Sequence, residues 1–144
     1  FLPAAKIIYI KRNIWDIATS IYKQFYVNNI PYAASFFNIA FNIANHEELI
    51  RFWVSELRYD FMTIEYEELV SDTGNVANKI FKYCGIDGNY NEDTRKNFFS
   101  RTASKSQISK NINTSSISKR EFENFKSGFE KDIENQRKYW QIDN

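Results

Sequence analysis

The alternation of hydrophobic and polar positions begins with a strand pattern. Residues 6–10, KIIYI, form a short apolar run rich in β-branched side chains, which is typical of a strand buried on both faces in a parallel sheet. Asn13 follows as a predicted N-cap, and Asp16, three residues later, has the spacing of a capping box and favours the helix dipole. A helix is therefore predicted to begin directly after the strand.

That helix has two distinct faces. The apolar residues recur at helical spacing and predict the buried face: Ile14, Ile17, Ala18, Ile21 and Phe25. The polar residues predict the solvent face: Asn13, Asp16, Ser20 and Lys23. A strand followed by a tight turn and a helix is half of a βαβ unit.

Further along the chain, strand and helix patterns continue to alternate. A mostly apolar stripe over residues 36–57 predicts a long helix, and MTIEY at residues 62–66 predicts a second strand. Residues 71–84 predict a third helix, with Gly85 at its C′ position and Ile86 making the accompanying hydrophobic contact. This alternation predicts an α/β fold.

The C-terminal third is predicted to be mainly helical. Residues 87–100 are polar, with a short helix expected before Phe98 and Phe99. One or two amphipathic helices, broken near Gly128, are predicted from a set of apolar residues: Phe122, Phe125, Phe129, Ile133 and Trp140. No repeat or linker interrupts residues 1–144, which are predicted to form a single domain.

Composition excludes several classes of protein. The 144 residues are 43% hydrophobic and 17% aromatic, too apolar for intrinsic disorder. No apolar run approaches the roughly 18 residues of a membrane span, so a membrane partner is not predicted. The single cysteine, Cys84, permits no intrachain disulfide and leans towards a reducing compartment, so a cytoplasmic location is predicted. Cys84 falls on the inward face of its helix and is expected to be a core residue.

Positive charge is concentrated in one stretch. Residues 101–120, RTASKSQISKNINTSSISKR, hold five Lys or Arg and no acid, whereas the remaining 124 residues carry a net charge of −4. Such concentration suits an anionic ligand better than a long nucleic-acid footprint, and no nucleic-acid partner is predicted. Composition alone leaves two interpretations open, a disordered Ser/Lys linker and a loop that holds an anion.

A second candidate anion site lies at the end of the first strand. Arg12 occupies the turn at the carboxyl edge, where ligands bind in open α/β sheets, and the following helix N-terminus offers N–H groups and a positive dipole end. Ser20 lies about 10 Å further along the helix axis. One phosphate could contact both side chains, but a surface Arg and a solvated Ser would give the same spacing.

Other chemistry is poorly supported. His46 is the lone histidine, and nothing near it in sequence supplies a nucleophile or an orienting partner, so a general-base role is not predicted. The four glycines are dispersed, which excludes the glycine-rich nucleotide loops, and no spaced ligand set predicts a metal.

Taken together, three segments resemble the sulfotransferases that use 3′-phosphoadenosine 5′-phosphosulfate (PAPS), in particular the bacterial branch linked to tetratricopeptide repeats and the protein-tyrosine sulfotransferases. LPAAKIIYIKRNIWDIATSIYKQ, within which residues 6–25 form the predicted strand and helix, is similar to the family's 3′-phosphate-binding segment. MTIEYEELVSD is similar to its next strand, and residues 101–120 to the late loop that closes over the nucleotide.

The resemblance implies a set of nucleotide-binding residues. Arg12 and Ser20 match the pair that binds the 3′-phosphate, and Tyr66 matches a residue that seats the nucleotide. In the late loop the matching positions are Ser104, Gln107 and Lys119, with Ser115 and Ser116 beside them. The sequence departs from the family at Ile14, where a Pro is usual, and at Asn111, Ser118 and Arg120 of the late loop.

The resemblance also implies a P-loop-NTPase-like fold and a function. The 5′-phosphosulfate loop and the catalytic base of the family have no counterpart here, so the chain is expected to be the C-terminal half of the domain, with no catalytic residue and no metal. It would bind the adenosine 3′,5′-bisphosphate portion of PAPS, while the missing N-terminal half completes transfer to a hydroxyl acceptor: a sugar, a peptide tyrosine or a small molecule. A non-catalytic module for a phosphorylated or acidic ligand is the alternative, and single-stranded nucleic-acid binding is a weaker one.

Overall fold

The computed structural model describes residues 5–24, 30–56, 61–91 and 122–142, with only the backbone described for residues 141–142. These residues belong to two compact units. The first contains residues 5–11 and 61–91, and the second contains residues 12–24, 30–56 and 122–142. The elements in chain order are β1 (Ile7–Lys11), α1 (Ile14–Lys23), a 3₁₀ turn (Pro31–Ala34), α2 (Phe36–Glu56), β2 (Phe61–Glu65), α3 (Tyr66–Ser71), α4 (Thr73–Cys84) and α5 (Glu123–Ile142).

The first unit is built on two parallel strands. β1 pairs with β2 in a register that sets Ile7 opposite Phe61 and Lys11 opposite Glu65. α3 and α4 follow β2 directly, and the Tyr83 hydroxyl of α4 donates a hydrogen bond of 3.2 Å to the Ile7 carbonyl of β1. Parallel strands accompanied by helices agree with the predicted α/β class.

The ends of these elements differ from the sequence prediction. β2 ends at Glu65, so Tyr66 begins α3 instead of ending the strand. The helix predicted over residues 71–84 begins at Thr73, because Asp72 leaves helical geometry with φ −138° and ψ 58° and separates α3 from α4. Ile10 is about half exposed, so β1 is not buried on both faces as expected.

The predicted glycine at the end of α4 is confirmed. Gly85 adopts a left-handed conformation with φ +69°, which an L side chain enters only with strain. Its N–H donates to the Lys82 carbonyl, and the N–H of Ile86 donates to the Phe81 carbonyl, which is the hydrogen-bond pattern of a Schellman motif. Ile86 remains half exposed, so the expected hydrophobic contact covers only part of its side chain.

The core of the second unit lies among α1, α2 and α5. Its most buried members are Ala18 on α1, then Ile39, Ala40 and Ala44 on α2, and Phe129 and Ile133 on α5. The Trp15 ring lies between Phe36 and Phe129, at centroid distances of 5.1 and 5.3 Å. Trp15 therefore turns the first part of α1 inward, and Asp16, predicted on the solvent face, is only 8% exposed.

α5 is continuous through Gly128, so the predicted break near that residue is wrong. A helical glycine costs about 1 kcal/mol relative to alanine. The neighbouring Phe129 and Ile133 are almost completely buried, and burial of each large apolar side chain contributes about 1.5–3 kcal/mol, which outweighs that cost. Packing against the core therefore holds the helix together.

Polar contacts fix the C-terminal half of α5 along α2. The Arg137 guanidinium donates two hydrogen bonds of 2.9 Å to the Glu47 carboxylate, and the Trp140 indole N–H donates to the Asn45 side-chain carbonyl at 3.1 Å. The predicted apolar stripe of α2 is confirmed only in its N-terminal half, since residues 51–56 are all exposed.

Several sequence predictions lie outside the described residues. These are the short helix before Phe98 and Phe99, the ends of two helices at Phe25 and Leu57, and the whole stretch 101–120. In the part of the chain that the structure describes, no helix is long and apolar enough to cross a membrane.

Candidate functional site

The turn between β1 and α1 is organised by one side chain. β1 ends at Lys11 and α1 begins at Ile14, so Arg12 and Asn13 form the connection. The Asn13 side-chain carbonyl accepts hydrogen bonds from the N–H groups of Trp15, at 3.0 Å, and Asp16, at 3.1 Å. The predicted N-cap is confirmed, and it satisfies two N–H groups in the first turn of α1.

This cap changes the expected chemistry of the helix N-terminus. An anion at this position is expected to bind N–H groups of the helix N-terminus, but Asn13 already occupies those of Trp15 and Asp16. The N–H of Ile17 also donates to the Asn13 carbonyl as the first helical bond. Two of the N–H groups at the start of α1 are therefore already paired with a side chain of the protein itself.

Arg12, a predicted phosphate-binding residue, lies in this turn next to an acidic side chain. Its Nη2 atom lies 3.9 Å from Oδ2 of Asp16, and the two side chains are 20% and 9% exposed. An adjacent positive and negative charge largely cancel at long range, so the pair attracts an anion weakly from a distance. A guanidinium carries its N–H donors in a planar fork, a geometry that matches the oxygens of a phosphate.

Ser20 lies on the same helix, near its C-terminal end. It is partly buried, and its backbone carbonyl accepts a hydrogen bond from the Gln24 N–H at 3.3 Å. Eight residues separate it from Arg12, and six helical rises of 1.5 Å separate it from Ile14, or about 9 Å. Arg12, which precedes α1, and Ser20, which lies within it, thus belong to one unit.

Tyr66 belongs to the first unit. It is the first residue of α3 and is partly buried. It follows Glu65, the residue paired with Lys11 at the carboxyl ends of the two parallel strands, where a 3.7 Å ion pair joins their side chains. Both of these charged side chains are more than half exposed, so this ion pair contributes little to stability.

The late-loop candidates are not described by the structure. Ser104, Gln107, Ser115, Ser116 and Lys119 all lie outside the described residues, so their roles stay predictions. Of the residues predicted to lack a role, His46 is exposed on α2 and Cys84 is partly buried at the end of α4. Across residues 5–24, 30–56, 61–91 and 122–142 no group of three His, Cys, Asp or Glu side chains is arranged to hold a metal.

Comparison with known families assigns the chain. A family model described as the sulfotransferase domain matches residues 1–141, nearly the full length. The chain belongs to the sulfotransferase domain family. Membership of the sulfotransferase family, predicted from the three quoted segments, is therefore confirmed, and the chemistry associated with the family is sulfuryl transfer; the branch and the use of PAPS stay predictions. Comparisons with curated proteins and with solved structures return no match.

The sequence does not predict that Asp16 pairs with Arg12. The capping-box spacing and the polar stripe predict Asp16 on the solvent face, but the structure buries it beside Arg12. The signal was the spacing of four residues between Arg12 and Asp16, which allows a charged pair to form across the start of a helix. The sequence pattern does not report that Trp15 is buried, and this burial determines which side of the first turn of α1 faces the core.

Proposed function

We propose that this chain is the C-terminal part of a PAPS-dependent sulfotransferase and that it binds the adenosine 3′,5′-bisphosphate portion of the donor. The proposal is supported by the position of Arg12 in the connection between β1 and α1, and of Ser20 within α1, in a chain of this family. Tyr66 is proposed to help seat the nucleotide, and the basic stretch 101–120 to supply further donors from the late loop.

The proposed roles follow from the chemistry of the side chains. Arg12 would donate to 3′-phosphate oxygens in the planar geometry that favours two parallel hydrogen bonds, and the Ser20 hydroxyl would donate to another oxygen of the same group. The residues as placed fit such a ligand, since both side chains can donate and neither adds negative charge. Asp16 is the only acid paired with Arg12 among the described residues.

Binding at this remote position contributes to the reaction through orientation. Sulfuryl transfer resembles phosphoryl transfer, in which catalysis consists of positioning in-line partners and stabilising charge on the leaving group. Contacts to a part of the donor that does not react can hold the reacting sulfur in line with the acceptor hydroxyl. Arg12 and Ser20 would supply that contact, while the acceptor-deprotonating base would come from outside this chain.

Calorimetric titration with adenosine 3′,5′-bisphosphate tests the proposal. Saturable binding by the wild-type chain should weaken in Arg12→Ala and, to a smaller extent, in Ser20→Ala. Arg51→Ala is a matched control, because Arg51 is an exposed α2 residue of the same unit that pairs only with its helical neighbour Glu48 in the described residues. Affinity unchanged by Arg12→Ala would refute the proposed 3′-phosphate contact.

A transferase assay with labelled donor tests the second part of the proposal. The chain alone is expected to show no turnover above background, because the base and the 5′-phosphosulfate loop are proposed to lie elsewhere. Turnover by the chain alone would show that this division of roles is wrong. Binding of phosphorylated or acidic ligands without any preference for the nucleotide would instead support a non-catalytic binding module.

A further inference from the structure

We propose that Asp16 is a positioning residue that holds the Arg12 guanidinium in its binding orientation before the nucleotide arrives. The consequence for affinity rests on the proposed function, whereas the positioning itself does not. Nη2 of Arg12 lies 3.9 Å from Oδ2 of Asp16, and the carboxylate side chain is 9% exposed. The carboxylate is thus buried and has Arg12 as its charged neighbour.

Asp16 is itself held firmly by the first turn of α1. Its N–H donates to the Asn13 side-chain carbonyl at 3.1 Å, and its carbonyl accepts a hydrogen bond from the Thr19 hydroxyl at 3.2 Å. Thr19 is only 8% exposed. A backbone fixed at both its donor and its acceptor, with the side chain enclosed, gives the carboxylate a defined position from which to act on Arg12.

The burial of this carboxylate needs a reason beyond helix capping. Taking a carboxylate out of water is unfavourable unless the charge is paired or hydrogen-bonded. Asn13 already caps the helix, so Asp16 is not required for that purpose. The arrangement is accounted for if Asp16 restrains Arg12, because a carboxylate in a fixed position attracts the guanidinium beside it.

Restraint of Arg12 should increase affinity for a 3′-phosphate. A long side chain that is ordered before binding loses less conformational freedom when the ligand arrives, and the typical size of this effect corresponds to about two- to tenfold in affinity. The negative charge of Asp16 has the opposite effect, because it repels the phosphate. Salt screens that repulsion but leaves the ordering of Arg12 largely unaffected, so the two effects can be separated.

The positioning is tested without any ligand by ¹⁵N relaxation of the Arg12 Nε–Hε group. The Asp16→Asn variant keeps the shape of the side chain and removes its charge, and it should lower the order parameter of this group. Glu134→Gln is the matched control, since Glu134 is an exposed α5 residue paired with Lys138. Asp16→Glu keeps the charge and should retain more order than Asp16→Asn.

Unchanged order of Arg12 in Asp16→Asn would overturn the proposal, and so would a loss equal to that in Glu134→Gln. If Asp16→Asn fails to fold, Asp16→Ser, which also removes the carboxylate, takes its place: a loss of order of the Arg12 Nε–Hε group supports the proposal, and unchanged order overturns it.

The effect on binding is tested by a double-mutant cycle at 0.5 M salt. Asp16→Asn should lower the affinity for adenosine 3′,5′-bisphosphate about two- to tenfold in the wild-type background and leave it unchanged in Arg12→Ala. Affinity for adenosine 5′-phosphate, which lacks the 3′-phosphate, should not change. Equal losses for both nucleotides, or tighter binding of the bisphosphate, would contradict positioning through Arg12. If the wild-type chain does not distinguish the two nucleotides, the proposed function fails, and the relaxation experiment still decides the role of Asp16.

Discussion

The N-cap formed by Asn13 is predicted to stabilise the start of α1 by an amount that can be measured. Asn13→Ala removes the side-chain oxygen that accepts from the N–H groups of Trp15 and Asp16 at 3.0 and 3.1 Å. Asn13 is exposed, so water can replace part of what is lost and no cavity forms. The two bonds share one acceptor, and removing an N-cap side chain of this type typically costs about 1 kcal/mol of folding free energy.

Urea denaturation followed by tryptophan fluorescence measures this loss of folding free energy in the unit that contains α1. All three tryptophans, Trp15, Trp53 and Trp140, belong to the unit that contains α1, so their fluorescence reports on that unit. For a slope of about 2 kcal/mol per molar urea, a 1 kcal/mol loss moves the midpoint down by about 0.5 M.

A matched variant separates capping from other effects of the substitution. Asn13→Ser keeps a side-chain acceptor at the cap and should retain most of the stability, because Ser and Asn are about equally good N-caps. A midpoint that does not move in Asn13→Ala would refute the capping argument. An equal decrease in Asn13→Ser and Asn13→Ala would show that the loss has a cause other than the missing acceptor.

Three further predictions concern the packing and charges of the two units. Phe129→Ala should destabilise the second unit by about 3–5 kcal/mol, because Phe129 is 1% exposed, and a denaturation midpoint within error of wild type would contradict this. Gly85→Ala should destabilise the first unit by about 1–2 kcal/mol, because φ of Gly85 is +69°. Gly74→Ala, within α4 and with open space at its Cβ, should be neutral or stabilising. Equal effects of the two substitutions in thermal melts would argue against backbone strain at Gly85. The hydrogen bond and charge of Glu68 raise the pKa of Lys79. The pair therefore stabilises the fold below pH 10.5, and this contribution is lost as the pH rises through the raised pKa. Glu68→Gln should lower the pKa of Lys79, and an unchanged titration of its ¹³Cε signal would contradict the assignment.

Local signals account for the parts of the fold that the sequence predicted well. The β-branched run before Arg12, the Asn13 cap and Gly85 each specify backbone geometry through residues close together in the chain, and each is confirmed. These signals locate the strand–helix connection on which the proposed 3′-phosphate contact depends. They require no knowledge of distant packing, since caps and left-handed glycines act on their own helix ends.

The features that the sequence missed depend on residues far apart in the chain. Asp16 is buried because Trp15 packs between Phe36 and Phe129, which lie 21 and 114 residues away from it. α5 continues through Gly128 because Phe129 is held in the core formed with α1 and α2. Periodicity assigns a face to each helix but does not report which side chain reaches across to another helix, so tertiary packing overrode the local prediction at these positions.

The central claim is that this chain recognises the 3′-phosphate of an adenosine nucleotide through Arg12. The most direct measurement is the ratio of its dissociation constants for adenosine 5′-phosphate and adenosine 3′,5′-bisphosphate, determined by calorimetry at fixed salt for the wild-type chain and Arg12→Ala. A charge-assisted hydrogen bond contributes about 1.5–3 kcal/mol, so the wild-type chain should bind the bisphosphate about tenfold or more tightly, and Arg12→Ala should bring the ratio close to one. Equal affinities in the wild-type chain, or a preference that survives in Arg12→Ala, would contradict the claim.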